Sequence, residues 1–222
     1  MSAAGKQSVL VCMVLAALLG GCLPKPHIQH FTATPPVACP GDEVTLRWET
    51  NGPVRIEASP EIPALGRKDN TGTQTVTISG PTRFHLETSR VFGLKKELTE
   101  SEVLSPPKDL EYGVVDAEGR SQFTCSEQTG ALESSFQLDG KHLSPNVRIG
   151  QVTNMNARPL VIGKGETSET VREGAKAPGF EGQPAQGLWQ LRVPLDAGES
   201  CEDALESVDG RLIIKFQLAC PR

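Results

Sequence analysis

Basic residues are not in excess: 22 Lys and Arg stand against 27 Asp and Glu, a net charge of -5. A nucleic-acid binder needs a basic stripe to neutralise phosphates, so that class of partner is excluded. Histidine is scarce, with four residues scattered at His27, His30, His85 and His142. There is no G-x-S-x-G elbow, no H-E-x-x-H and no Gly-Lys-Ser/Thr phosphate loop. No C-x-x-C lies beside a histidine pair, which removes the usual zinc spacings. His27 and His30 form an H-x-x-H pair too poor in ligands for a metal site. Aromatics are few, at seven Phe, two Trp and one Tyr. No apolar run reaches the about 20 residues that a membrane-spanning helix requires. The chain does have 37% hydrophobic residues, 22 Gly and 17 Pro. That is enough to bury a core, and it favours short strands joined by turns over disorder.

The first segment reads as an address. Lys6 gives a weakly basic start, Val9 to Leu19 (VLVCMVLAALL) is apolar, and Leu19-Gly20-Gly21-Cys22 follows. Such a run fits the core of a secretory signal. Two glycines leave the backbone unhindered for a peptidase, and the Cys22 thiol can be alkylated. Together these residues resemble the lipobox of bacterial lipoproteins. The rival readings are an ordinary signal cleaved after Gly21 and an uncleaved anchor, for which the run is short. The resemblance implies loss of residues 1–21, a diacylglyceryl group on Cys22 and a membrane as partner, with no other cofactor. Two or three acyl chains, at about 0.8 kcal/mol per buried CH₂, hold a protein on a bilayer. Leu23 stands where an aspartate would resemble an inner-membrane retention signal, so the expected location is the outer membrane. Residues 22–27 are then a lipidated tether.

Residues 28–105 alternate in the period of strands. Val44, Leu46 and Trp48 alternate with Thr45, Arg47 and Glu49; Val54, Ile56 and Ala58 with Arg55 and Glu57; Phe84, Leu86 and Thr88 with Arg83, His85 and Glu87. That spacing places His85 on the solvent face of its strand. Pro40-Gly41-Asp42, Asn51-Gly52 and Gly80-Pro81 punctuate the runs as turns. Strands at this spacing predict an antiparallel sandwich. IQHFTATP, CPGDEVTLRWET, VRIEASP, TVTISGPT and RFHLETS resemble bacterial immunoglobulin-like domains. The likeness rests on the PGD turn, on Trp48 and on the Thr-rich strand, and departs from the family in Phe84 where a Tyr is usual. It implies spacing or adhesion and does not choose between them.

Ser105-Pro106-Pro107-Lys108 is the expected boundary, with a linker over 106–109 and a second β-sandwich over 110–222. Asp116 to Gly119 reads as a hairpin turn. Phe136 and Leu138, Val147 and Ile149, Leu160 and Ile162, and then Trp189, Leu191, Val193 and Leu195 mark strands, with 212–219 the last. The alternation of Trp189 favours a core position over sugar stacking. Residues 163–186, rich in Gly, Glu and Pro, are expected to form long loops. Ser200 offers a helix cap for 201–208. FEGQPAQGLWQLRVPLD followed by DGRLIIKFQL resembles the end of the proprotein-convertase P domain, a galactose-binding-like jelly roll. Gly187, Trp189 and Leu191 carry that likeness. The predicted fold class is therefore all-β, two tandem antiparallel sandwiches, the second jelly-roll-like.

With Cys12 lost and Cys22 lipidated, Cys39, Cys125, Cys201 and Cys220 remain in an oxidising compartment, where an even number favours two disulfides. One of the four lies in the first domain, so full pairing forces a bridge across the boundary. If 188–195 and 211–219 formed a hairpin, Cys201 and Cys220 would lie eight or nine residues apart along it, beyond bridging distance. The pairing then expected is Cys125–Cys220 with Cys39–Cys201.

Asp196, Glu199, Glu202, Asp203, Glu206 and Asp209 have no Lys or Arg between them. Oxygen ligands of this kind suit calcium, and Asp196, Glu199, Glu202 and Asp203 are the candidate cation ligands. The competing reading is a solvated acidic helix face. Asn154, Asn156 and Arg158 follow a strand and could form a polar binding rim, but asparagines at a strand end are read first as turn residues that hydrogen-bond local backbone. With no nucleophile–base pair, the expected function is a non-catalytic, lipid-anchored envelope module with protein or glycan partners. A carbohydrate-binding lipoprotein and an exported enzyme or enzyme inhibitor are the alternatives.

Overall fold

The computed structural model describes residues 25–89, 96–105, 110–113, 123–208 and 213–221. The signal segment, Cys22, the expected linker over 106–109, the turn at Asp116–Gly119 and Asp209 lie outside these residues. Strands β1 (Ile28–Thr34), β2 (Glu43–Thr50), β3 (Val54–Ser59), β4 (Gly66–Lys68), β5 (Thr71–Thr77), β6 (Thr82–Ser89) and β7 (Lys96–Val103) form two sheets. One has the order β1-β2-β5 and the other β4-β3-β6-β7, all antiparallel. Seven strands divided in this way make an immunoglobulin-like sandwich. The residues that alternate in the sequence fill it: Val44, Leu46, Ile56, Phe84 and Leu86 are all fully buried.

Trp48 is the largest side chain in this core, and its Nε1–H donates to the Asp69 carbonyl at 3.0 Å. Its register partner on β5 is Gly72. A methyl group at Gly72 would fall on the six-membered ring of the indole, so only glycine lets the two strands close over Trp48.

The second half begins with β8 (Leu110–Gly113), β9 (Thr124–Ser126), β10 (Ala131–Leu138) and β11 (Arg148–Asn154). It continues with β12 (Leu160–Lys164), β13 (Thr167–Val171), β14 (Gly187–Pro194), helix α1 (Cys201–Val208) and β15 (Ile213–Ala219). A five-stranded sheet, β13-β12-β14-β10-β9, packs on a three-stranded one, β11-β15-β8. Eight strands in two antiparallel sheets fit the jelly-roll expectation. Trp189 is fully buried, stacked on Phe136 and tilted or edge-on to Phe180 and Phe216. Its role is core packing.

Two expectations about this half are corrected. Residues 163–186 are not continuous loop: β13 lies within them, reached from β12 through Gly165 at φ 57°, and a 3₁₀ turn at Pro178–Phe180 buries Phe180. In addition, β14 and 213–219 are not a hairpin. β14 pairs with β10 and β12, whereas β15 pairs with β11 and β8 in the other sheet.

The disulfide pairing changes accordingly. The bridges are Cys39–Cys220 and Cys125–Cys201, with Cα atoms 5.5 and 5.7 Å apart. Cys125 pairs with Leu132 at the start of β10, and Ala131 faces Pro194 at the end of β14, so Cys125 and the chain leading to Cys201 share one end of the sandwich. Cys220 follows Ala219, which faces Arg148 at the opposite end, where the first sandwich docks. A bridge across the two halves is present as expected, made by Cys220 in place of Cys201.

Candidate functional site

The two sandwiches meet at the pole of the first that carries the β1–β2 connection and the end of β7. Ala38 N–H donates to the Leu104 carbonyl and Leu104 N–H to that of Pro36, which closes this pole. From the second sandwich, Ser144 N–H donates to the Val37 carbonyl at 2.8 Å. Cys39 is counted in the second core, covalently joined to Cys220.

Asp42, in the PGD turn, holds this junction. It is 6% exposed. The Cys39 N–H donates to its Oδ2 at 2.7 Å, the Ser144 hydroxyl donates to the same oxygen, and the Asn146 amide donates to Oδ1. Burial alone raises the carboxyl pKa, but these donors outweigh it and hold Asp42 below the usual range. The carboxylate thus joins a turn of one sandwich to the β10–β11 loop of the other.

Beside this latch runs a groove of roughly 960 Å³. One wall is the outer face of β1, β2 and β5, with His30, Thr32, Arg47 and Thr73; the other includes Lys141 and Asn146. His30 Nε2 and the Thr32 hydroxyl are 3.1 Å apart. A second hollow, roughly 520 Å³, lies over the five-stranded sheet between Ser135, Ser168, Gln190 and the Arg192–Glu133 ion pair. Small side chains and Gly163 make the depression. Ser134, also among the lining residues, alternates with Ser135 and shares the core face of β10 with Leu132 and Phe136.

Two of the candidate cation ligands, Asp196 and Glu199, meet a guanidinium. The Glu199 oxygens accept from Arg158 Nη1 at 2.7 Å and Nη2 at 2.6 Å, and Asp196 lies 3.4 Å from the same guanidinium. Asp203 belongs to the start of α1, with its N–H on the Ser200 hydroxyl, which in turn donates to its Oδ2. Among the described residues no three His, Cys, Asp or Glu side chains form a metal-holding group. The sequence segment lacks a cation, but folding brings one from the β11–β12 connection, so this is an ion-paired knot. Asn154 is fully buried; its Nδ2 donates to the Arg158 and Val171 carbonyls, and its Oδ1 accepts from Asn156. Asn154 ends β11 and its amide ties down the bend that follows, as expected of an asparagine at a strand end. His85 lies 3.0 Å from Glu100, and His27 lies 3.8 Å from Glu97.

Arg158 holds Glu199 at about 2, from an ordinary value near 4.5. A depressed carboxylate stabilises the fold fully above its unfolded pKa, and that share is lost as pH falls through the folded one. Between pH 5 and 2.5 the melting temperature of the wild type is expected to fall more steeply than that of Glu199→Gln. Parallel profiles by circular dichroism would refute this linkage.

No protein-family model matches the chain, and no curated protein matches it. A solved structure of a chimeric titin Z1Z2-Z1Z2 tandem, functionalised with a GRGDS exogenous peptide from fibronectin, aligns with 77% of this chain and 84% of that one. The identity is 12% and the TM-score 0.28, too loose a likeness to bear on function.

Proposed function

We propose that this chain is a lipid-anchored protein of the bacterial cell envelope, at the outer membrane, that serves as a non-catalytic binding or structural module. The observation that carries the reading is the sequence Leu19-Gly20-Gly21-Cys22 at the end of an eleven-residue apolar run. Two disulfides fit export to an oxidising compartment. Among the described residues no helix is long and apolar enough to cross a membrane. Attachment through acyl chains supplies membrane binding without one. The groove at the junction is the surface offered to a partner, since the bridge and the Asp42 latch fix its two walls before anything binds, which lowers the cost of ordering.

A second reading, carbohydrate binding, rests on the hydroxyl- and amide-lined hollow over the five-stranded sheet, without help from Trp189. A glycan array probed with the detergent-solubilised protein separates the two.

Intact-mass spectrometry of the envelope-extracted protein is expected to show loss of residues 1–21 and a diacylglyceryl mass on Cys22, with Cys22→Ala shifting the product to the soluble fraction. An unmodified thiol at residue 22 in protein recovered from the medium overturns the reading.

A further inference from the structure

We infer that the pole of the first sandwich around Asn51 is a membrane-apposed surface, and that the second sandwich is the outward-facing part of the molecule. The inference rests on the lipid anchor at Cys22 proposed above, and the structure adds a clamp on the tether. Asn51 Nδ2–H donates to the Lys25 carbonyl at 2.7 Å, Asn51 Oδ1 accepts from His27 N–H at 2.9 Å, and Asn51 N–H donates to the His27 carbonyl at 3.1 Å. The tether is therefore fixed to the fold from Lys25 onward. Two residues lie between Cys22 and Lys25, so three Cα–Cα steps of at most about 3.5 Å each join them. Lys25 Cα therefore lies within roughly 10 Å of Cys22 Cα, a distance comparable with the headgroup region of one leaflet, about 5–8 Å.

The same pole carries the start of β1, the β2–β3 turn and the β4–β5 turn, where the Asn70 carbonyl accepts from Thr50 N–H at 2.8 Å. The second sandwich attaches at the other pole, through Val37, Cys39 and Asp42. β2 runs between the two poles with eight residues, about 26 Å at 3.3 Å each. The end of the second sandwich that bears Cys125–Cys201 is the one away from the junction, so the loop at Glu127 lies farther out still.

The test uses the full chain, expressed in a lipidating bacterium and checked by intact mass. A donor fluorophore is attached through a single azide-bearing side chain at position 49 or 127, both exposed. Each protein is reconstituted into vesicles of phosphatidylethanolamine and phosphatidylglycerol (3:1) with an acceptor on the headgroups. Energy transfer at position 49 is expected to exceed that at 127 by at least threefold. A ten-residue Gly-Ser insertion after Leu23, outside the clamped residues, is expected to lower that ratio. Lipid-bearing protein with equal transfer at the two positions, or with a ratio unchanged by the insertion, overturns this orientation while leaving the anchor intact. An unmodified Cys22 overturns the anchor and this inference together.

Discussion

Trp189→Ala is expected to remove about 3–5 kcal/mol from the second sandwich, the range for deleting a large buried aromatic. The indole is fully buried and lies between both sheets, within 4.9 Å of Phe216, 5.3 Å of Phe180 and 6.3 Å of Phe136, centroid to centroid. Its Nε1–H donates to the Ala185 carbonyl at 3.2 Å, so truncation also leaves a buried acceptor unpaired. Surrounding aromatics cannot collapse into the space, because each is held by its own strand or turn. Urea unfolding followed at a probe in the second sandwich is the measurement. A loss below about 1 kcal/mol would show that this cluster is not the centre of the core. The first sandwich has its own cluster around Trp48 and Phe84, which this substitution does not touch.

Replacing Cys39 and Cys220 together by alanine has the second large effect. The bridge closes a loop with a sequence separation of 181. In the chain-entropy account a loop of that length constrains the unfolded chain by about 5 kcal/mol, an upper figure because Cys125–Cys201 already shortens it. Two cores share this bond, so its loss acts first on their coupling. Cys39 packs in the second core while its chain belongs to the first. The remaining link is the Asp42 latch with the Ser144–Val37 backbone bond. The expected outcome is a thermal unfolding curve split into two transitions and a larger radius of gyration by small-angle scattering. A single unchanged transition with unchanged dimensions would show that the bridge is incidental to the alignment of the sandwiches. Acid adds to the effect in the double variant. Asp42 titrates below the usual carboxylate range, so its share of stability is complete above that range and is lost as pH falls through its lowered folded pKa.

The strands that were legible in the sequence are those with one buried and one wet face. Val44-Leu46-Trp48, Phe84-Leu86 and Trp189-Leu191-Val193 each write a period of two into the chain, and each is buried as that pattern requires. β7 reads KELTESEV and β13 TSETV, and each buries one residue, Val103 and Val171. Both lie at sheet edges, where pairing with a neighbour along the whole strand takes the place of burial. β7 faces β6 over eight residues and β13 faces β12 over five. Local composition carries little trace of such strands.

The partner of the acidic segment is hidden from the sequence for a related reason. Charge counted along 196–209 finds no cation, whereas Arg158 arrives from 41 residues before Glu199 and binds both of its oxygens.

The sequence alone determined the class of the fold, the cap of the short helix at Ser200, the two cores' principal residues and the expectation of a bridge between halves, because these depend on period, turn chemistry and count. Only the tertiary structure decided which cysteines meet, that Asp42 joins the sandwiches and that Asn51 clamps the tether. Each of those contacts joins residues on different strands or loops. Their distance is set by how the sheets stack, and no local pattern in the chain encodes it.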